Sequence, residues 1–385
     1  MKKLLSLLLA LLMVFALAAC GGNGGGNEGG GGDDDVIKAD LVLVTDAKSV
    51  DDKGFNQYSW EGVVQYSEET GVSRNYYMPT EQTTEQYMAQ IATAVKGGAK
   101  IIVCPGFLFQ AAVYDAQELY PDVKFICIDF APTTEDYSDS KVGPNTVAVL
   151  FEEEESGFLA GYAAVKEGFR SLGFDGAMAV PAVKNFGYGY LAGAEYAAKE
   201  LGLAPGEVTV KYSYTGEFAE KPEYVTADQG WYTDGVEVIF GCGSPRNSFE
   251  AADKFNATSD HTVWAIGVDT DCSDQSEYVI TSAMKNLAPV VHTLVKSGYE
   301  TDFPEGGNTN YYNIKDDASA LPMASSKFQN FTQADYDAIV NLLKTDEAFR
   351  TSLPTGYGNG QPNDYVNAAD YAATLELVVV DVVKE

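Results

Sequence analysis

The sequence predicts an α/β protein built as two doubly wound parallel-sheet lobes joined by a hinge. The chain has 385 residues, enough for two domains at roughly 100 to 200 residues each. Hydrophobic residues make up 45% and aromatics 12%, ample for a buried core. Short β-branched runs alternate with amphipathic stretches, and the alternation restarts midway. Parallel strands need crossover helices, so each run of alternation reads as one sheet covered on both faces.

At the N-terminus, Lys2 and Lys3 precede an apolar run over residues 4–19 that ends Leu17-Ala18-Ala19-Cys20. A positive start, a short apolar segment and small residues at the cut site read as a secretory signal over residues 1–19. The run is short for a membrane span, which needs about 20 residues. Leu-Ala-Ala-Cys resembles the lipobox of bacterial lipoproteins, which implies that the Cys20 thiol receives diacylglycerol and becomes the mature N-terminus. Residues 21–32 hold nine glycines, and Asp33, Asp34 and Asp35 follow. Residues 20–36 therefore read as a lipidated cysteine and a solvated tether with a root-mean-square span of roughly 20 to 25 Å. The expected location is the extracytoplasmic face of the cell membrane, held by the lipid alone.

Residues 39–44 (ADLVLV) begin the first sheet, followed by an amphipathic stretch at 59–70, a strand at 75–78 and a helix at 83–97 with Tyr87, Ile91, Ala94 and Val95 at helical spacing. Residues 101–104 and 123–129 are further buried strands. The second set of strands is expected at 176–180, 208–212, 236–241 and 263–268, separated by helices such as 190–200 and 248–255. Extended segments at 146–151 and 279–283 are the expected hinge crossings. Helices at 288–296 and 334–344 and a β-rich end complete the chain. The lobes are expected at 37–150 plus 282–305 and at 151–281 plus 306–385.

The charge excludes one class of partner. With 56 acidic against 25 basic side chains, the chain carries −31, too little positive charge for a default nucleic-acid face. Of five cysteines, Cys20 is assigned to the lipid. Cys104, Cys127, Cys242 and Cys272 match no zinc or redox spacing; Cys104 and Cys127, inside apolar strand-like runs, read as buried thiols, with a disulfide as the alternative in an oxidising compartment. No metal and no cofactor is expected.

In open α/β sheets, ligands sit at the carboxyl ends of the strands, so the loops there are the place to look. The first reads TDAKSVDDKGFNQ (45–57), continuing YSWEG. Further on come FEEEESGFLAGYAA (151–164), GAMAVPAVKNFGYGYLAGAEY (176–196), WAIGVDTD (264–271) and TSAMK (281–285). In this order these segments resemble the basic membrane protein family, the substrate-binding lipoproteins of ABC transporters that include purine nucleoside receptors. The resemblance covers roughly residues 39–296. Departures are Gly54, where Ser is usual, and GCGSPRNSFEAA (241–252), where Pro245 and Arg246 intrude into a smaller glycine loop.

The resemblance implies a type I periplasmic-binding-protein fold. It implies a purine nucleoside as ligand, an ABC permease and ATPase as partners, and a monomer. By matching, Phe55 and Phe218 clamp the base, each stack being worth about 1 to 3 kcal/mol. Asp46 and Asp129 accept from its edge, and Asp269 accepts from ribose hydroxyls. Lys285 and the backbone of Gly243 donate to ribose oxygens, and Asn56 suits either edge. Each has a plainer alternative: Phe55 as a helix-start staple, Phe218 as core, Asp129 and Asp269 as helix caps, Lys285 as a surface ion pair. The run Glu152 to Glu155 reads as a solvated helix start or docking surface.

An enzyme is the competing class. His261 precedes a strand and His292 sits inside a helix, neither on a cleft loop, and no Walker loop, GxSxG elbow or metal-ligand pair is visible. No catalytic residue is assigned. The alternatives within the fold are a sugar or other small polar solute as ligand, or a sensor role in place of transport.

Overall fold

A computed structural model describes residues 36–46, 48–358 and 360–384. The leader at 1–19, Cys20 and the tether through residue 35 lie outside the described residues.

Among the described residues, two sheets organise the chain. The first has the order β11-β5-β4-β3-β1-β2, from β1 (Leu41–Val44), β2 (Arg74–Tyr77), β3 (Ile101–Pro105), β4 (Lys124–Ile128), β5 (Thr146–Phe151) and β11 (Thr309–Tyr312). All its pairings are parallel. Helices α1 (Phe55–Thr70), α2 (Thr84–Lys96), α3 (Gln110–Leu119) and α8 (Leu287–Glu300) flank it. The two-residue period of a strand divides the core. Leu41 and Leu43 pack with Val63, Tyr66 and Val291 of α1 and α8, while Val42 and Val44 pack with Tyr87, Ile91 and Ala112 of α2 and α3.

The second sheet has the order β12-β10-β9-β8-β6-β7-β13, from β6 (Ser171–Gly176), β7 (Val208–Tyr214), β8 (Val238–Cys242), β9 (Trp264–Asp269), β10 (Val279–Lys285), β12 (Ser319–Ala320) and β13 (Val378–Lys384). Only the pairing of β10 with β12 is antiparallel among the described strands. Its helices are α4 (Glu153–Glu167), α5 (Pro181–Leu201), α6 (Pro222–Thr233) and α7 (Arg246–Asn256), with α9 (Gln333–Thr345), α10 (Glu347–Arg350) and α11 (Ala368–Ala372) near the end of the chain.

Helices α4 and α5 touch backbone to backbone. A Cβ placed on Gly157, Gly161, Gly189 or Gly193 would fall 2.0–2.1 Å from the carbonyl oxygens of Phe186, Tyr190, Glu154 and Phe158 respectively. Only glycine permits this approach, and its result is that almost every residue of α4 is buried.

Two expectations about this lobe change. The strand expected at 176–180 is instead β6, Ser171–Gly176, and residues 177–180 are the loop that feeds α5. Pro181 begins α5, and a residue before proline is held extended, as Val180 is. Strand SLGFDG carries two glycines, of which Gly173 leaves room for Trp231 and Ile239, which a Cβ would meet at 3.1 and 2.9 Å.

The lobe boundaries also shift. Strand β10 stays in the second sheet through Lys285, so the chain crosses to the first lobe at Asn286 and not at residue 282. Strand β11 returns to the first sheet, so part of 306–385 belongs there. The crossings fall at Glu152, Asn286 and Asn313, just after β5, β10 and β11. The third was missed because β11, TNYY, is four residues long with little apolar character.

Cys104, Cys127, Cys242 and Cys272 are free and buried. Cys104 and Cys127 lie side by side in register on β3 and β4, and burial pushes the Cys127 thiol well above its ordinary value.

Candidate functional site

Of the predicted cleft residues, Asp129, Asp269 and Phe55 gather around Lys285 where the two lobes meet, while Asp46 with Asn56 and Phe218 with Gly243 form two separate groups. It ends β10 and is only 4% exposed. Its ammonium is ion-paired with Asp129 of the first lobe, lies 3.1 Å from Glu153 Oε1 and stands 3.9 Å from Asp269 Oδ1. The rings of Phe55, Phe151 and Phe186 surround the same nitrogen at 5.7, 5.4 and 5.4 Å. Burial alone would lower the lysine pKa, but Asp129, Glu153 and Asp269 together raise it, so the cation is secure. The surface ion pair considered as its alternative is excluded by this burial.

Asp129 and Asp269 follow β4 and end β9 with left-handed backbones, at φ 67° and 65°. Neither caps a helix, because the next regular element after each is a strand, β5 and β10. Asp129 Oδ1 is buried with no hydrogen-bond partner. The Asp269 carboxyl is pushed up to about 6 by burial; Lys285 opposes that shift, while Asp129 and Glu153 reinforce it.

Asp46, Asp52 and Asn56 form one knot after β1. The Asn56 side chain accepts from the Asp46 N–H at 3.2 Å and donates to Asp46 Oδ1 at 2.8 Å and Asp52 Oδ2 at 3.0 Å. Both amide donors and the carbonyl are thus engaged, and Asn56 is 2% exposed. It braces the loop, where the sequence pointed to a ligand contact. Tyr87 O–H adds a bond to the Asp46 carbonyl at 2.9 Å.

The two aromatics occupy different settings. Phe55 is the first residue of α1 and packs between the first-lobe core and Lys285. Phe218 is 39% exposed and lies across the cleft against Phe107, with centroids 5.9 Å apart at 45°. Gly243, at φ 89°, sits beneath Phe218, which a Cβ there would meet at 2.8 Å. Phe107 is therefore an additional cleft aromatic; GFLF offered no cue beyond its place after β3.

The glutamate run departs most from expectation. Glu153, Glu154 and Glu155 are 4, 6 and 0% exposed, because the close approach of α5 leaves that turn no water. Burial, reinforced by Glu152, raises Glu155 to about 8, and burial raises Glu154 well above the carboxylate range. Arg350 pairs with both Glu152 and Glu155. Glu153 also accepts from Asn185 Nδ2 at 2.8 Å.

At the mouth of the cleft the lobes meet through Lys48 with Glu220 at 3.2 Å, Lys53 with Asp274 at 2.9 Å, and Gln275 donating to the Lys53 carbonyl at 3.1 Å. Cavities of about 440 and 330 Å³ open beside these contacts, and Arg246 lines both. Neither includes the Lys285 cluster, which is closely packed in this lobe arrangement. Buried charges from both lobes converge at the cluster, whereas the mouth cavities hold exposed pairs.

Residues 39–350 match the Bmp family, described as ABC transporter substrate-binding protein PnrA-like. The chain belongs to this family. Among curated Bmp relatives, the ABC transporter nucleoside-binding protein BmpA of Lactococcus lactis subsp. cremoris is 28% identical over 329 residues, covering 80% of this chain and 88% of the relative. Basic membrane protein D of Borreliella burgdorferi is 28% identical, covering 76% and 81%. A solute-binding protein of an ABC transporter system from Aeropyrum pernix K1 superposes with a TM-score of 0.63 at 22% identity, covering 82% and 89%. A second, from Conexibacter woesei, gives 0.63 at 18%, covering 81% and 97%. The type I periplasmic-binding-protein fold and the substrate-binding class of this Bmp chain are thus established. No helix among the described residues is long and apolar enough to cross a membrane.

Proposed function

We propose that this chain is a lipid-anchored extracytoplasmic receptor that captures a purine nucleoside between its lobes and hands it to an ABC permease and ATPase. The carrying observation is the convergence of Asp129, Asp269 and Lys285 at the lobe junction, with Asp129 Oδ1 buried and lacking a donor. A buried acceptor is costly unless a donor completes it, and ribose hydroxyls and base N–H groups are such donors. Phe55 and Phe218 supply apolar faces from opposite lobes. The name of the Lactococcus relative supports the same ligand class. Three carboxylates against one ammonium favour a neutral nucleoside and repel a phosphate.

Calorimetry with inosine, guanosine, adenosine, inosine 5′-monophosphate, ribose and glucose tests the ligand. Inosine should bind at least about a hundredfold more tightly than its monophosphate, on the scale of like-charge penalties of several kcal/mol. Heat from a monosaccharide with none from any nucleoside would replace the nucleoside by a sugar. Cys20→Ala should move the protein from the membrane fraction to the supernatant; retention in the pellet would remove the anchor from the proposal.

A further inference from the structure

Beyond residue 350, where the family match ends, the chain returns to the hinge. The Tyr357 hydroxyl donates to the Phe151 carbonyl at 3.1 Å, and its ring meets Tyr311 edge-on at 6.5 Å and 88°. Phe151 and Tyr311 sit on β5 and β11, adjacent strands of the first sheet, at two of the crossings. Tyr357 itself is carried by a segment fastened to the second lobe. Lys184 of α5 donates to the Val366 carbonyl at 2.7 Å, and Tyr365 packs on Tyr371, which packs on Tyr188, at 4.8 and 5.8 Å.

The residue before Tyr357 faces the ligand site. Gly356 N–H donates to Asn185 Oδ1 at 2.8 Å, Asn185 Nδ2 donates to Glu153 Oε2 at 2.8 Å, and Glu153 Oε1 lies 3.1 Å from Lys285. Asn185 is 0% exposed, and a buried amide in a helix interior is retained only where its groups are satisfied. Gly356 has no space for a side chain, since a Cβ would stand 2.5 Å from Lys184 Cβ. Two adjacent residues of one segment thus reach the hinge carbonyl of Phe151, through Tyr357, and the cation that both lobes share, through Gly356, Asn185 and Glu153.

We propose that residues 351–358, paired with residues 360–367 through Thr355 and Asp364, form a hinge strap, in which Tyr357 holds the lobes at their closed angle while Gly356, Asn185 and Glu153 position Lys285 for ligand. The first half stands on the strap geometry alone. The second half rests on the ligand reading above.

The test separates the two. In the full chain, nitroxide labels on the exposed positions Asp122→Cys and Glu223→Cys report the interlobe distance by double electron–electron resonance, and inosine affinity is measured in parallel. Tyr357→Phe deletes one hydroxyl and keeps the ring. Without ligand it should shift the distance distribution toward longer separations and reduce the closed population about three- to tenfold, the range for one hydrogen bond. Inosine affinity should fall by the same factor. Asn185→Ala should weaken inosine at least as much. Tyr357→Phe distances that coincide with the parent's overturn the strap, and they do so even where Asn185→Ala fails to fold. Unchanged inosine affinity in a folded Asn185→Ala protein overturns the coupling. If inosine binds neither parent nor variants, the nucleoside reading falls, while the ligand-free distances still decide the strap.

Discussion

Asp129 and Asp269 are counterparts: each closes off a central strand in a different lobe, each has a left-handed backbone, and both face the Lys285 ammonium. Left-handed φ is tolerated by Asp and Asn but strained for other side chains. The site thus requires a residue type that accepts hydrogen bonds and also bends the chain.

Asp269→Asn should accordingly fold with a melting temperature close to the parent, Asp129→Asn should lose some stability with the nearest counter-charge of Lys285, and both should lose at least about tenfold in nucleoside affinity. That is the scale for a charge-assisted bond of about 1.5 to 3 kcal/mol. The alanine variants should lose both affinity and stability. Calorimetry and thermal melts on the four proteins check this, and equal stability in the alanine and asparagine variants would refute the backbone argument.

Acid should act in opposite directions on the empty protein and on binding. The Asp269 carboxyl sits at about 6 when folded and near 4 in an unfolded chain. Between those values the folded state holds a proton the unfolded state has released, so ligand-free stability is fully present at low pH and declines as pH rises through about 6. Glu155, raised to about 8, extends the decline upward. A ligand donor needs ionised Asp269, so affinity should fall toward tenfold per pH unit below about 6. Melts and titrations from pH 4.5 to 8 test both slopes.

Lys285→Met leaves Asp129, Glu153 and Asp269 without their common cation. Removing one partner of a buried ion pair costs about 3 to 5 kcal/mol. The variant should unfold at much lower denaturant concentration at pH 7.5 and recover part of the loss at pH 5, where Glu153 and Asp269, both raised by burial, take up protons. An equal deficit at both pH values would show that packing, not charge, is what Lys285 supplies.

The pairs at the mouth should matter far less. Lys53 and Asp274 have side chains 48% and 66% exposed, and such pairs contribute about 0 to 1 kcal/mol. Lys53→Ala should change inosine affinity by less than about fivefold, and the change should vanish in 0.5 M salt. A larger, salt-resistant loss would make the Lys53–Asp274 pair a determinant of closure.

Much of the architecture was legible because it follows from periodicity. The runs at 41–44, 101–105 and 125–128 are apolar throughout, as strands covered on both faces must be, and Asp129 and Asp269 were found simply as what comes next. Lys285 was found from its motif, but its burial was not foreseeable, since a lysine after SAM looks like any surface lysine. The glutamates of 152–155 were misread for a related reason. Four consecutive acids predict a solvated turn unless one knows that four glycines, spaced four positions apart in each of two helices, bring α5 onto them. Asn185, Gly356 and Tyr357 left no local signal; their importance arises from contacts more than 30 and up to about 200 residues apart.

The glycine contacts between α4 and α5 also bear on how force passes through the molecule. With carbonyls seated where side chains would otherwise cushion the pair, the two helices have no compliance against each other. Helix α4 begins one residue after β5, at Glu153, so a rotation at the Glu152 crossing meets no slack before it reaches that slab. The second lobe should swing as a plate, leaving the three crossings as the only soft joints among the described residues. A small change in torque at any one of them becomes a displacement at the far rim, where Phe218 meets Phe107.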